Sequence, residues 1–289
     1  MKNRLLNTIC LFAFGFLAGA AQAGNLWLTG HDADLHCSGG TQCNHFGIAL
    51  DFGRQAAPDK TKPILFLTSP GGDLVAAAGQ AVARARNTVE GAGNPFPFVV
   101  VDPTDAAFAT TVLSVANFSA IVIASDTSCG GCDNNLADIV AINARTAEIQ
   151  AFFNAGGGLV YFAGAENRDT YYLSVPIPAG AVAVSAPFTL TPEGVALGLL
   201  TAQDANCCAT HNSFNLPPAG GALRVAETDS AGFAETLFAR DATITGGGIG
   251  GPGTTFGPRD IPTLSEWGMI ILALLVAGFG ALTVRRRFG

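Results

Sequence analysis

A doubly wound α/β domain built on a mainly parallel sheet is the fold this sequence predicts, and two patterns predict it. Five short runs rich in Val, Ile, Leu and Phe, at residues 26–29, 63–68, 96–101, 120–124 and 159–163, show no polar alternation. Strands of that kind bury both faces, as central parallel strands do. The stretches between them read as helices, at residues 74–86, 105–115 and 136–153. In the last of these Ile139, Ile142, Ala147, Ile149 and Phe152 recur at about helical spacing, and Gly156, Gly157 and Gly158 stop it. Strand then helix, repeated, winds a sheet with helices on both faces. Beyond Tyr172 the pattern turns to short strands and turns, including residues 223–225 and 235–238, which complete or cap an edge of the sheet.

The two ends stand apart from this domain. Residues 1–23 have the parts of a secretory signal peptide: Lys2 and Arg4, then an apolar stretch over residues 9–17, then Ala21-Gln22-Ala23 as a small-x-small cleavage site. The apolar stretch is too short to span ~30 Å of hydrocarbon, so cleavage rather than anchoring is expected. At the other end, residues 269–284 are apolar and are followed by Arg285, Arg286 and Arg287. Counted from Trp267, this is just long enough for a transmembrane helix at about 1.5 Å per residue. Trp267 suits the headgroup layer and the arginines mark the cytoplasmic side, which leaves the globular part on the periplasmic side of the inner membrane. The division that follows is a signal peptide at 1–23, an α/β domain at 24–245, a Gly-rich linker at 246–260 and a tail at 261–289. A net charge of -7 excludes a basic nucleic-acid surface.

The tail begins Ile261-Pro262-Thr263-Leu264-Ser265-Glu266-Trp267-Gly268. That motif, the apolar helix after it and the arginine cluster resemble the IPTL-CTERM sorting domain, a relative of the PEP-CTERM tails. The resemblance implies export through the secretion machinery, recognition by an exosortase-type transpeptidase near residues 261–264, and transfer to the cell surface. Membrane, transpeptidase and secretion machinery are therefore the expected partners.

The central domain resembles the class I glutamine amidotransferase-like fold, in its trehalose-utilisation-type branch, a flavodoxin-like architecture. The likeness rests on the strand at 120–124, the helix after it, and Phe152-Phe153-Asn154-Ala155-Gly156-Gly157-Gly158 leading into Leu159-Val160-Tyr161-Phe162-Ala163-Gly164. Enzymatic members carry a Cys nucleophile on the sharp turn after this strand. Here the turn reads Gly164-Ala165-Glu166, without Cys or Ser, so the resemblance implies a fold that has lost thiol chemistry. Catalytic alternatives reduce to Glu166 as a general base and His211.

In such folds ligands bind where the strands' carboxyl ends open into loops. Residues after the predicted strands supply His31, Asp32, Asp34 and His36, then Asp126 and Asp133, then Glu166 as ligand-binding candidates. His31 and His36, with Asp32 and Asp34, offer the N and O donors for a divalent ion such as Zn²⁺; no other cofactor is expected. Asp and His serve equally well in turns and caps. Apart from Cys10 in the signal, six cysteines remain: Cys37, Cys43, Cys129, Cys132, Cys207 and Cys208. In an exported protein an even set favours disulfides, with Cys37–Cys43 and Cys129–Cys132 the local pairings. The function expected is an exported, envelope-displayed module that binds a ligand or partner without catalysis; the alternative is a metal-assisted envelope hydrolase.

Overall fold

The computed structural model of the protein describes residues 23–36, 40–68, 97–126, 134–177, 180–201, 210–246 and 248–250. The signal peptide, the helix expected at 74–86 and the tail from 261 onward lie outside the described residues. The chain divides into two units, Met1–Pro252 and Gly253–Gly289. Among the described residues no helix is long and apolar enough to cross a membrane.

All five apolar runs are strands: β1 (Gly24–Thr29), β2 (Ile64–Leu67), β3 (Phe98–Val101), β4 (Ala120–Ile123) and β5 (Gly158–Tyr161). They pair in parallel in the order β3-β2-β4-β5-β1. Counted from β2, this is the doubly wound order 2-1-3-4-5, with the N-terminal strand in fifth place. Side chains alternate between two cores, as strand geometry requires. Leu26, Leu28, Leu65, Leu67, Ile121 and Ile123 point to one face. Trp27, Ile64, Phe66, Val122, Val160 and Phe162 point to the other.

Among the described residues, three helices fall between β1 and β4: α1 (Ala33–His36), α2 (Gly40–Arg54) and α3 (Ala106–Thr110). α2 covers the Trp27 face through Phe46, Ala49 and Leu50. The opposite face is covered by α4 (Leu136–Ala144) and α5 (Thr146–Asn154), through Ile139, Ile142, Ile149, Phe152 and Phe153. Two sequence expectations are corrected here. The helix expected over 105–115 stops at Thr110, and the one expected over 136–153 is broken at Arg145, whose backbone leaves the helical region at φ -106°, ψ 18°. Arg145 takes part in both. The Arg145 guanidinium donates to the Phe108 and Thr111 carbonyls and lies 4.7 Å above the Phe108 ring. It thereby caps the end of α3, a tertiary interaction that helical periodicity does not report.

After α6 (Arg168–Tyr171) the chain builds the antiparallel half: β6 (Ala181–Ala183), β7 (Thr189–Leu190), α7 (Pro192–Ala196), β8 (Asn212–Phe214), β9 (Arg224–Thr228), β10 (Ala234–Thr245) and β11 (Gly248–Gly250). β10 pairs antiparallel with β1, so the parallel sheet continues as β1-β10-β8-β6, while β9 folds back on β10 as a hairpin arm. The short strands expected beyond Tyr172 do complete the sheet, and the segment expected at 235–238 is a strand three times that length. Residues 248–250, expected in the Gly-rich linker, pair with the end of β10.

Candidate functional site

Polar side chains converge where β1 ends. Thr29 closes the strand, Gly30 turns it, and His31, Asp32 and Asp34 follow into α1. The turn requires glycine: a Cβ on Gly30 would lie 1.6 Å from the Asn212 carbonyl oxygen of β8. His211 N–H donates to the Gly30 carbonyl at 2.8 Å, which locks the end of β1 to the antiparallel half.

His31 sits at the centre with no solvent exposure. Its Nε2 is 2.8 Å from Glu227 Oε2 on β9 and 2.9 Å from Glu235 Oε2 on β10. Its Nδ1 is 2.7 Å from the Thr210 hydroxyl. The ring also packs edge-on against His45 of α2, with centroids 4.7 Å apart, and against Phe188 at 5.1 Å. Burial alone would lower the pKa of this imidazole, but the Glu235 and Glu227 carboxylates outweigh it and raise the pKa to about 10. Glu235 moves the other way: burial pushes its pKa up, and the charge and hydrogen bond of His31 bring it below the ordinary glutamate value. Thr29 Oγ1 donates to Glu235 Oε1 at 3.1 Å.

A second group lies beside the first. Asp32, fully buried, has Oδ2 3.3 Å from His211 Nε2 and 3.5 Å from His36 Nε2. Asp34 accepts the N–H of Ser125 at 2.9 Å and its hydroxyl at 2.7 Å. Burial and the neighbouring Asp32 charge raise the Asp34 pKa to about 8. Across the edge, Asp126 follows β4 and accepts from the backbone N–H and the side-chain amide of Asn167, the latter at 2.9 Å. Burial raises its pKa against those bonds.

The residues expected at the binding edge therefore meet there, but mostly as a buried network rather than an open cleft. His31, Asp32, Asp34 and Asp126 are inside, His36 is part-exposed, and Glu166 is exposed. Among the described residues, one ligand atom each from His31, His45 and Glu227 lie within 4.8 Å of one another, a set that includes His31 of the metal pair expected from sequence but not His36. His36 turns to Asp32 instead. Sequence reasoning missed His45, Glu227 and Glu235. A signal for the last two existed in the repeated tripeptide Ala226-Glu227-Thr228 and Ala234-Glu235-Thr236, which places a carboxylate on each arm of one hairpin. Asp133, Cys37, Cys129, Cys132, Cys207 and Cys208 lie outside the described residues. Cys43 is buried on α2, so no expected disulfide has both ends among the described residues.

The turn after β5 holds no nucleophile. Gly164 N–H donates to Tyr172 Oη at 2.9 Å and to Asn212 Oδ1 at 2.8 Å, and a Cβ there would meet Tyr172 Cε2 at 2.8 Å. Tyr161, Tyr171 and Tyr172, all the tyrosines of the chain, pack together beneath this turn, Tyr171 edge to face with each of the other two. Burial raises the pKa of each phenol. Beside the turn runs an open groove lined by Arg168, Asp169, Leu173, Pro176 and Gly180.

No curated protein matches the chain. Residues 261–287 match the IPTL-CTERM motif, and with it the chain carries the C-terminal sorting signal of an exported, envelope-associated protein.

Proposed function

We propose that this is a cell-envelope protein that crosses the inner membrane through the secretion machinery, is held there by its tail helix with the domain on the periplasmic side, and is then processed by an exosortase-type transpeptidase. Its α/β domain is a non-catalytic module that binds a ligand or partner. The doubly wound strand order supports an amidotransferase-like core. One observation carries the non-catalytic reading: at the turn after β5 the Gly164 N–H is already held by Tyr172 and Asn212, and the ring of Tyr172 fills the space a nucleophile's side chain would need. The groove along Arg168 and Asp169 supplies an exposed, mixed-charge surface for recognition. Disulfides among Cys37, Cys43, Cys129, Cys132, Cys207 and Cys208 brace the neighbouring loops in an oxidising compartment.

The alternative, a metal-assisted envelope hydrolase acting through His31, Asp32, Asp34, His36 and His211, draws support from the Asp32 contacts to both His36 and His211. It is the weaker reading because His31 and Asp32 are both fully buried, which leaves a substrate no approach. Replacing residues 261–264 by alanine tests the sorting half. Unprocessed precursor in the membrane is expected, and a normally matured protein from that variant overturns it. Mass spectrometry of the mature protein from its native host reads both termini and the thiol state together.

A further inference from the structure

We infer that the chain holds one divalent metal ion, of the zinc class, at a closed centre formed by His31, His45 and Glu227 with Glu235 at its side. The inference goes beyond the binding role proposed above and rests on different residues from the groove.

The donor set is the first argument. Two imidazoles and a carboxylate are the ligands that zinc takes in a tetrahedral site, with bonds of about 2.0–2.2 Å. Such bonds put ligand atoms roughly 3.3 Å apart. The separations within 4.8 Å seen here close to that by small side-chain adjustments.

The surroundings of the two histidines are the second argument. Metal-bound histidines use one ring nitrogen as ligand and anchor the other on a carboxylate, carbonyl or water. His45 does this: Nε2 is 2.8 Å from the Leu200 carbonyl, which can only accept, so Nε2 carries the hydrogen and Nδ1 is the lone-pair atom of the neutral ring. His31 does it with the Thr210 hydroxyl on Nδ1, which leaves Nε2 turned towards Glu227 and Glu235.

The third argument is an unsatisfied acceptor. Glu227 Oε1 is buried and has no hydrogen-bond partner among the described residues. A buried carboxylate oxygen left in that state is costly, and a cation beside it removes the cost. Glu227 and Glu235 both face His31 Nε2, and a divalent ion bound there displaces the proton that this nitrogen otherwise shares with them.

The centre is structural. His31 and Glu227 are fully buried and His45 is 1 % exposed, so no position stays open for water or substrate. The ion joins the end of β1, α2 and β9, segments separated by up to 196 residues.

The test uses the full chain, purified without chelator, with zinc and cobalt as the probes. Elemental analysis is expected to give one zinc per chain, and cobalt exchange to give the strong visible bands of a four-coordinate N/O site. His45→Gln and Glu227→Gln are each expected to weaken zinc binding at least about tenfold, and Thr210→Val about tenfold through the orientation of His31. His36→Ala is expected to leave binding unchanged. Because the ligand variants can fail to fold, the wild-type chain gives a second reading: stripping by chelator lowers the thermal unfolding midpoint, and zinc restores it where magnesium does not. Absence of stoichiometric zinc or cobalt uptake by the wild-type chain overturns the inference. So does full affinity in a folded Glu227→Gln, or loss of the metal on His36→Ala, which moves it to the Asp32 group.

Discussion

Asp34, one turn past the end of β1, accepts both the backbone N–H and the hydroxyl of Ser125 at the end of β4, 91 residues away. One carboxyl thus clamps two strand ends that are not neighbours in the sheet, with β5 between them. Asp34→Ala leaves two buried donors without an acceptor, and such groups cost about 1–3 kcal/mol each. A loss of about 3 kcal/mol is expected in chemical denaturation, with Ser125→Ala costing less: it removes the hydroxyl donor together with its need and strands only the long contact from the Ala163 N–H at 3.2 Å.

The same carboxyl makes stability depend on pH. Its pKa rises from 3.8 to about 8 on folding, through burial and the charge of Asp32. Tyr171 also faces it. Between those two values the folded state holds a proton that the unfolded state has released. The stability from this group is therefore complete below about pH 4 and is lost as pH rises through 8. Asp34→Asn fixes a neutral side chain: its Oδ1 can still accept the Ser125 N–H, while its NH2 donates to the Ser125 hydroxyl instead of accepting from it. From pH 5 to pH 8 the urea midpoint of the wild-type chain is expected to fall relative to that of Asp34→Asn; parallel curves would show that Asp34 does not titrate in this window.

Gly30 is the tightest backbone contact of the site. A methyl group there must displace the Asn212 carbonyl 1.6 Å away, and with it the junction between β1 and β8. Overpacking of this kind costs about 3 kcal/mol or more where backbone must move. Gly30→Ala is expected to lower the unfolding midpoint strongly, whereas Gly232→Ala, in open space at the β9–β10 turn, acts only through its φ of +85° and costs less.

Arg145 is the third site of prediction. It donates to the Phe108 and Thr111 carbonyls, stacks on Phe108 and pairs with Glu148. Arg145→Met removes the donors and preserves most of the aliphatic packing, for an expected loss of about 2 kcal/mol. Arg145→Lys is expected to recover only part, because a single ammonium cannot hold two carbonyls as the planar fork does. Equal stability of the Lys variant and the parent would remove the capping role.

The five parallel strands were legible in the sequence because each reads as an unbroken apolar run; four are buried on both faces, and β3, at the sheet's edge, keeps the apolar run although Val99 is exposed. α2 was not legible, for a reason specific to its surroundings. Residues 42–50 are buried on every side, with Gln42, Asn44 and His45 interleaved among Cys43, Phe46, Ala49 and Leu50. No polar face remains to give a 3.6-residue period. That same helix carries His45, so missing it also hid the partner of His31. The cluster at residues 31–36 did stand out by composition, and its members do gather at the sheet's carboxyl edge. The pairing of His31 with carboxylates 196 and 204 positions away is set by the hairpin of β9 and β10, which local pattern does not encode.

The place of β1 in the sheet has a consequence for biogenesis. This strand emerges from the ribosome before the rest of the domain, yet the two strands that flank it begin at residues 158 and 234. Until most of the polypeptide has been synthesised, it has nothing to zip against, and closing so large a loop early is entropically unrewarded. In the export proposed above, such a delay leaves β1 slack until the strands that flank it have followed it across.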